Sequence, residues 1–349
     1  MSLRRSESEL LANLRSRFAS HSPFVEVGVG DDAAVLRTTG DRQIVSTDLL
    51  IEGVDFVPGT SPVFLAKKSM AANLSDVYAC GAAPTAAFVA LGLPDSATDG
   101  DVDEFFDALS AAAERSSCTI AGGDLSRAPV WTIAITIWGR PIGEPWLRSG
   151  ARAGDELWYF GTPAGAAAAG LQLLLAGAEA RGDGSFRVPE EWSFDENELS
   201  AAGEAIFRQL DPEPFHGAVG LAAAGGIKAA IDTSDGLLMD ATRLADSSAL
   251  ALEIELSEVP SFALPPVVES RLTRDTTSDA LSGGEDFALL VAAEPRAASG
   301  WPEEIRGLGS KIGRFRIGQG VTILRNGIPF EPRALGFDHF APWVPGRRA

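Results

Sequence analysis

Asp31 and Asp32 stand side by side behind Gly28-Val29-Gly30 and directly before the apolar run Ala33-Ala34-Val35-Leu36. Adjacent like charges repel, and a segment destined for burial is a costly neighbour for them. Such a pair must sit at the end of an element, where a cation or solvent can reach it. The arrangement recurs along the chain. Ser46-Thr47-Asp48, Asn73-Leu74-Ser75-Asp76, Gly122-Gly123-Asp124 and Asp232-Thr233-Ser234-Asp235-Gly236 each follow or end an apolar stretch. Any one aspartate in this setting reads as a turn former or helix cap. Their recurrence in one chain favours a shared task. Oxygen donors without clustered His or Cys suit Mg²⁺ better than Zn²⁺ or copper. Several Mg²⁺ ions in one cleft go with phosphate chemistry.

Charge narrows the partners. The formal net charge is −19, which argues against nucleic acid, because that binding rests on Lys and Arg neutralising phosphates. An anionic substrate therefore needs metal ions or local basic groups to approach. No run reaches the roughly 18 apolar residues of a membrane span, and no signal-peptide core follows Arg4 and Arg5. Cys80 and Cys118 are the two cysteines, too few for a disulfide framework and consistent with a reducing compartment. The expectation is a soluble cytoplasmic protein. At 349 residues and 45% hydrophobic content, it has material for about two domains.

Periodicity places the elements. Leu10, Leu11, Leu14 and Phe18 share one helical face over residues 6–18. Ala33–Arg37 and Gln43–Thr47 read as two strands around Thr39-Gly40-Asp41, a hairpin signal. Ser61-Pro62 opens a helix that runs to about Ala79, with Asn73 and Asp76 on one face. Pro84–Leu93, Thr119–Ala121 and Val130–Gly139 read as strands, and Asp101–Arg115 as an amphipathic helix. The Pro- and Gly-rich segment Pro141–Gly154 holds the expected boundary between domains 1–145 and 146–349. Beyond it, Asp155–Phe160, Ala229–Ile231, Leu250–Leu256, Phe287–Ala292, Lys311–Ile317 and Val321–Leu324 read as strands. Asn326-Gly327 reads as a turn into Ile328–Phe330. Residues 179–200 are polar and read as a surface excursion. The fold class is α/β (α+β) in two domains.

Gly28-x-Gly30-x-x-Ala33 has the outline of a dinucleotide fingerprint, but Thr38-Thr39-Gly40-Asp41 interrupts the chain before the required helix. Asp31 and Asp32 would also repel a pyrophosphate. There is no Walker A motif and no protein-kinase signature set. Asp232 and Asp235 read either as an N-cap pair for the next helix or as ligands for a metal and its phosphate. His21, His216 and His339 are scattered along the chain and read as surface or structural groups.

The order of motifs resembles the thiamine-monophosphate kinase family, within the wider group of aminoimidazole ribonucleotide synthetase. The resemblance is carried by Gly28–Ala33, Ser46–Phe56, Ala72–Asp76, Gly122–Asp124, Arg148–Ala151, Asp232–Leu237, Ser282-Gly283-Gly284-Glu285-Asp286-Phe287 and Gly336-Phe337-Asp338-His339-Phe340. It runs from about residue 24 to 340 and is weakest over 179–225. It implies the two-domain aminoimidazole ribonucleotide synthetase-like architecture, with first-domain sheets pairing in a homodimer and ATP in a cleft of the first-domain region. It implies transfer of the ATP γ-phosphoryl group to thiamine monophosphate, giving thiamine diphosphate.

Position by position, the resemblance makes Asp32, Ser46, Thr47, Asp48, Asp76, Asp124, Asp232 and Asp235 Mg²⁺ ligands. Gly123, Asp124, Arg148 and Ser234 become ATP contacts. Asp55, Glu285 and Phe337 become substrate positions, Asp55 standing where the family often carries His. Asp48, Asp124 and Asp235 are the expected catalytic positions. Phe215-His216-Gly217 stands near a place where the family commonly carries Arg. The rival readings are another ATP-dependent enzyme of the same group, such as a selenophosphate synthetase or an aminoimidazole ribonucleotide synthetase, and a non-catalytic nucleotide sensor. A selenophosphate synthetase wants a reactive Cys near its N-terminus, and none precedes Cys80.

Overall fold

The computed structural model describes residues 9, 13–14, 16–18, 23–27, 35–37, 40, 42–334 and 336–337. Contacts divide the chain into two compact units, Met1–Pro145 with Ala178–Val188, and Trp146–Gly177 with Pro189–Ala349. Most of the expected helix over 6–18 and all of Gly28–Ala34 lie outside the described residues.

In the first unit, β1 (Val25–Val27) pairs antiparallel with β2 (Val35–Leu36). β3 (Ile44–Ile51), α1 (Pro62–Ala79), β4 (Ala82–Leu93), α2 (Asp99–Arg115), β5 (Thr119–Arg127) and β6 (Thr132–Pro141) follow. Their sheet has the order β3-β6-β4-β5. Thr39 and Asp41 of the expected hairpin lie outside the described residues; among those described, β2 pairs with β1 and β3 with β6. β6 offers β3 a continuous antiparallel ladder from Ile44↔Gly139 to Ile51↔Thr132, which a two-residue β2 cannot match.

The helices begin where their caps stand. The Ser61 hydroxyl accepts the Val63 N–H at 3.3 Å, with Pro62 in the first turn. A reciprocal Thr98/Asp101 box opens α2. α1 packs on β3, β4 and β6 and against α2. Ile133, Ile135 and Ile137 of β6 are fully buried. Alternate residues lie on the opposite face, where Val45 and Leu49 are 52% and 54% exposed. Ala90 is exposed there and Thr136 and Trp138 half-buried. One face of the sheet is thus covered and the other is largely apolar and open.

The second unit holds β7 (Glu156–Phe160), α3 (Ala166–Leu175), α4 (Glu196–Leu210), α5 (Ala218–Ala224), β10 (Ile227–Asp232), α6 (Leu237–Ser247), β11 (Ala251–Glu255), α7 (Thr276–Ser282), β12 (Leu289–Ala293), β13 (Gly309–Arg316), β14 (Gly320–Arg325) and β15 (Ile328–Phe330). The short pair β8 (Glu179–Ala180) and β9 (Phe186–Arg187) falls in the first unit. The seven-stranded sheet runs β10-β12-β7-β13-β11-β14-β15. Only β11 and β14 pair in parallel. Leu157, Tyr159, Ile231, Leu244, Leu290 and Phe315 lie in its core. Asn326 and Gly327 take positive φ values of 54° and 76° in the turn between β14 and β15, the geometry that Asn-Gly favours.

Part of the excursion read over 179–200 is helical. Asp195 and Glu198 form a capping box that starts α4, and Asp-x-x-Glu was a visible signal for it. α3 and α4 approach closely at Gly170, where an added Cβ would lie 2.0 Å from the Ala205 carbonyl oxygen. Gly170→Ala gains about 1 kcal/mol in helix propensity but drives a methyl into rigid backbone. We expect a net loss of about 1–3 kcal/mol of stability, read as a lower urea midpoint at unchanged slope.

Candidate active site

In the first unit the candidate residues divide by strand alternation. Ser46 and Asp48 project from the same side of β3, and the Ser46 hydroxyl donates to Oδ2 of Asp76 on α1. Asp48 is half-buried beside them, and its Oδ2 is buried with no hydrogen-bond partner among the described residues. Burial, then repulsion from Asp76 and Asp55, pushes its pKa up to about 6. The Asp55 carboxylate accepts the Ile51 N–H at 2.7 Å, and Lys68 Nζ donates to the Asp55 carbonyl at 3.1 Å. Asn73, on the same side of α1 as Asp76, is fully buried, and its Oδ1 has no hydrogen-bond partner among the described residues.

Thr47 points the other way. Its hydroxyl donates to the Ile135 carbonyl at 3.0 Å and lies 3.0 Å from the Thr136 hydroxyl. Only its backbone is left for a cation held by Ser46 and Asp48. Gly123 and Asp124 lie on β5, at the far edge of the sheet from β3. Asp48 pairs with Ile135, Ile135 with Val89, and Val89 with Gly123. Three strand spacings therefore separate Asp48 from Gly123, about 14 Å. Asp124, exposed, falls in register with Ala90 on the open-face side. The first-unit carboxylates thus form an Asp48–Asp55–Asp76 group and a distant Asp124. Asp32 lies outside the described residues.

In the second unit, backbone hydrogen bonds join segments that are far apart in sequence. β10 ends at Asp232, buried at 4% exposure, and the chain then turns through Thr233–Gly236. Ser234 O accepts the Glu285 N–H at 2.9 Å, and Thr233 O accepts the Phe287 N–H at 3.0 Å. Asp235 O accepts the Phe337 N–H at 2.9 Å. A Cβ on Gly284 would lie 2.5 Å from Ser234 O, and one on Gly336 2.6 Å from Asp235 O. Glycine is the residue that permits these approaches. Glu285 and Phe287 both take positive φ, 70° and 47°, a strained backbone at the point where Glu285 is presented. Arg148 is exposed on the segment whose Leu147 carbonyl accepts the Ala230 N–H of β10 at 2.9 Å.

Several residues here escaped sequence reasoning. Asp240, one turn into α6, accepts the Asp235 N–H at 3.0 Å. Arg243 donates to Asp240 Oδ1 at 2.7 Å and to Asp235 Oδ2. Asp235 is thus paired with a guanidinium. The i, i+3 spacing of Asp240 and Arg243 was the available signal. Gln209 on α4 donates to Glu285 Oε2 at 2.7 Å. Asp286 accepts the Gly165 and Ala167 N–H groups at 2.6 and 3.0 Å, capping α3 from 119 or more residues away; nothing in the local sequence could show that.

The donors are all oxygen, and Asp48 keeps an orphaned buried oxygen among repelling carboxylates. That chemistry fits a hard divalent cation. Among the described residues, no three or more His, Cys, Asp or Glu side chains close into a group able to hold a metal ion by themselves. Phosphate oxygens would have to complete such a site. Burial pushes the Cys118 thiol up to about 12, so it is no nucleophile at neutral pH.

Comparison with known proteins gives concordant matches. The family model for AIR synthase related protein, N-terminal domain, matches residues 30–140. The thiamine-monophosphate kinase of Escherichia coli (strain K12) is 33% identical over 345 residues, covering 96% of this chain and 98% of that protein. The crystal structure of thiamine-monophosphate kinase from Stenotrophomonas maltophilia K279a has a TM-score of 0.75 at 31% identity, covering 93% of this chain and 97% of that one. AaThiL complexed with AMPPCP and TMP gives a TM-score of 0.69 at 27% identity, covering 96% and 97%.

The buried cap yields a pH test. Burial pushes Asp286 from 3.8 up to about 7, against its two N–H donors, with Asp279 and Glu285 adding repulsion. A carboxyl whose folded pKa lies above its unfolded value contributes most below the unfolded pKa, and that contribution is lost as pH rises through the folded pKa. The difference in unfolding free energy between wild type and Asp286→Asn should therefore shift against the wild type from pH about 4 to pH about 7. Urea titrations across that range check it, and a flat difference refutes it.

Proposed function

The chain belongs to the thiamine-monophosphate kinase family, and on that premise we propose a direct transfer of the ATP γ-phosphoryl group to thiamine monophosphate, assisted by several Mg²⁺ ions. The observation that carries the metal-assisted reading is the Asp48–Asp55–Asp76 group, with its orphaned oxygen and mutual repulsion. Bound Mg²⁺ would supply the positive charge that lets two anionic phosphates meet in line. Asp32, Ser46, Asp48, Asp76, Asp124, Asp232 and Asp235 are the proposed ligands, with Thr47 through its backbone. Gly123, Asp124, Arg148 and Ser234 are the proposed ATP contacts. AaThiL is named as a complex with AMPPCP and TMP, and that pairing supports both substrates here.

The chain's own groups then divide the work. The attacking atom is an ionised phosphate oxygen and needs no general base, so positioning and charge neutralisation carry the step. Asp48, Asp124 and Asp235 are the proposed catalytic positions, acting as holders of charge rather than as nucleophiles. Glu285 would face the cationic thiamine moiety, and the Phe337 ring would stack on it. Asp55 has its carboxylate turned to the Ile51 N–H and is proposed to contribute to the substrate side through charge. Residues 1–145 are proposed as the ATP- and Mg²⁺-binding and dimerisation domain, and 146–349 as a C-terminal α/β domain.

The open sheet face with Val45 and Leu49 supports a homodimer, since a second copy would remove that apolar area from water. Light scattering at micromolar concentration should give twice the chain mass, and Leu49→Lys should halve it. A monomeric wild type refutes the pairing. No helix among the described residues is long and apolar enough to cross a membrane, and a cytoplasmic location is proposed.

Incubation with ATP and Mg²⁺ tests the activity. ADP release should require thiamine monophosphate, yield thiamine diphosphate, fail with free thiamine and stop in EDTA. Asp48→Asn should cut turnover on the order of 100-fold, the upper end for loss of a metal-site contact. Its melting temperature should hold or rise, because the change removes a buried repelling charge. ADP release in EDTA at the full rate would end the metal-assisted reading.

A further inference from the structure

Gln209 sits on α4 among Ala202, Gly203, Ala205, Ile206 and Leu210, all buried. It is itself only 2% exposed. An apolar side chain is the ordinary occupant of such a helix position. Gln209 instead sends its Nε2 to Glu285 Oε2 at 2.7 Å. Its own Oε1 is buried and has no hydrogen-bond partner among the described residues. A buried acceptor left unpaired costs free energy that a methionine of similar shape would not. The chain therefore carries an amide where packing alone favours a hydrocarbon, and that amide donates to Glu285.

Glu285 needs such a tether. It stands between Gly284 and Asp286 in a left-handed backbone conformation, φ 70°. Its main chain is fixed by Ser234 O, and Asp286 beside it is locked to the α3 N-terminus. The backbone is thus set, but the Glu285 side chain has three rotatable bonds beyond it. A neutral amide donor can hold one carboxylate oxygen without cancelling the negative charge, as Lys or Arg would. The carboxylate as a whole keeps its charge for a cationic ligand.

We propose that Gln209 is a positioning residue that holds the Glu285 carboxylate in the orientation that receives the cationic moiety of thiamine monophosphate, and so sets affinity for that substrate rather than for ATP. This rests on the assignment of Glu285 to the substrate. Gln209 gives up stability for that role. Replacement by an apolar side chain of like size should move stability and substrate affinity in opposite directions, which a packing residue would not do.

Steady-state kinetics and melting curves on Gln209→Met, Gln209→Glu and Glu285→Gln test it. Gln209→Met should raise KM for thiamine monophosphate about tenfold, the worth of a hydrogen bond to a charged group. KM for ATP should stay within about twofold and Tm should hold or rise. Gln209→Glu keeps the shape but sets a second carboxylate against Glu285, so one of the two holds a proton near neutrality. Its KM for thiamine monophosphate should gain a pH dependence that the wild type lacks. If Glu285→Gln raises that KM while Gln209→Met leaves it unchanged, the positioning role is wrong and the substrate assignment of Glu285 stands. If Glu285→Gln leaves it unchanged, both fall. An equal rise for both substrates, or a lower Tm in Gln209→Met, shows a structural role and overturns the proposal.

Discussion

Asp48 holds a buried oxygen with no hydrogen-bond partner among the described residues, and burial, with repulsion from Asp76 and Asp55, raises its pKa; the rest of the first unit keeps that condition in place. Three carboxylates are kept near one another only because each is tied from behind. Asp76 is fixed by α1 and by the Ser46 hydroxyl, Asp55 by the Ile51 N–H, and Asp48 by the β3–β6 ladder. The rigidity comes from packing, chiefly the fully buried isoleucines of β6 under the helices. A flexible scaffold would let the acids drift apart. A rigid one keeps the repulsion in place as a standing affinity for positive charge.

The second unit treats its acids differently. Asp235 has Arg243 and Asp240 as partners, and Asp286 has two backbone N–H groups. Those acids have hydrogen-bond partners within the fold, although burial still holds Asp286 up at about 7, and the segments around them are joined by main-chain hydrogen bonds. One half thus holds a buried carboxylate oxygen without a hydrogen-bond partner among the described residues, on Asp48, while the other ties its carboxylates to a guanidinium and to backbone N–H groups. A kinase of two anionic substrates and one cationic moiety needs both kinds. In the proposed function the first kind draws cations to phosphate, and the second offers a negative charge to the thiamine end.

How much of this was legible depended on the range of the cause. Asp232–Gly236 and Asn326-Gly327 are short-range signals, because the residue types that tolerate tight turns are few, and both fall in turns, whereas Gly122-Gly123-Asp124 lies within β5. The Ser61-Pro62 start of α1 is equally local. The failures were of longer range. Nothing near Thr39-Gly40-Asp41 reveals that β3 prefers β6. The alternation that turns Thr47 away from Ser46 and Asp48 was available in principle, since β-strands have a period of two, but it needed the strand's limits. Gln209 looked like an unremarkable polar residue until α4 placed it in a core. Asp286 looked like a partner of Glu285 in one motif, whereas it serves a helix cap far away in the chain.

The strand order of the second unit, β10-β12-β7-β13-β11-β14-β15, has a consequence for how such a chain comes into being. β7 is the first of these strands in sequence, yet its neighbours are β12 and β13, whose residues begin at Leu289 and Gly309. Only β14 and β15 are both consecutive and adjacent. Contacts this distant return nothing until long loops have closed, so the transition state must order much of the unit at once and folding is slow. On a ribosome, β7 emerges with its edges unpaired and waits for more than a hundred residues of chain. The loops that carry Ser234, Glu285 and Phe337 cannot lock to one another before then. The surface these loops form therefore arises late and as a whole, with no working fragment made on the way.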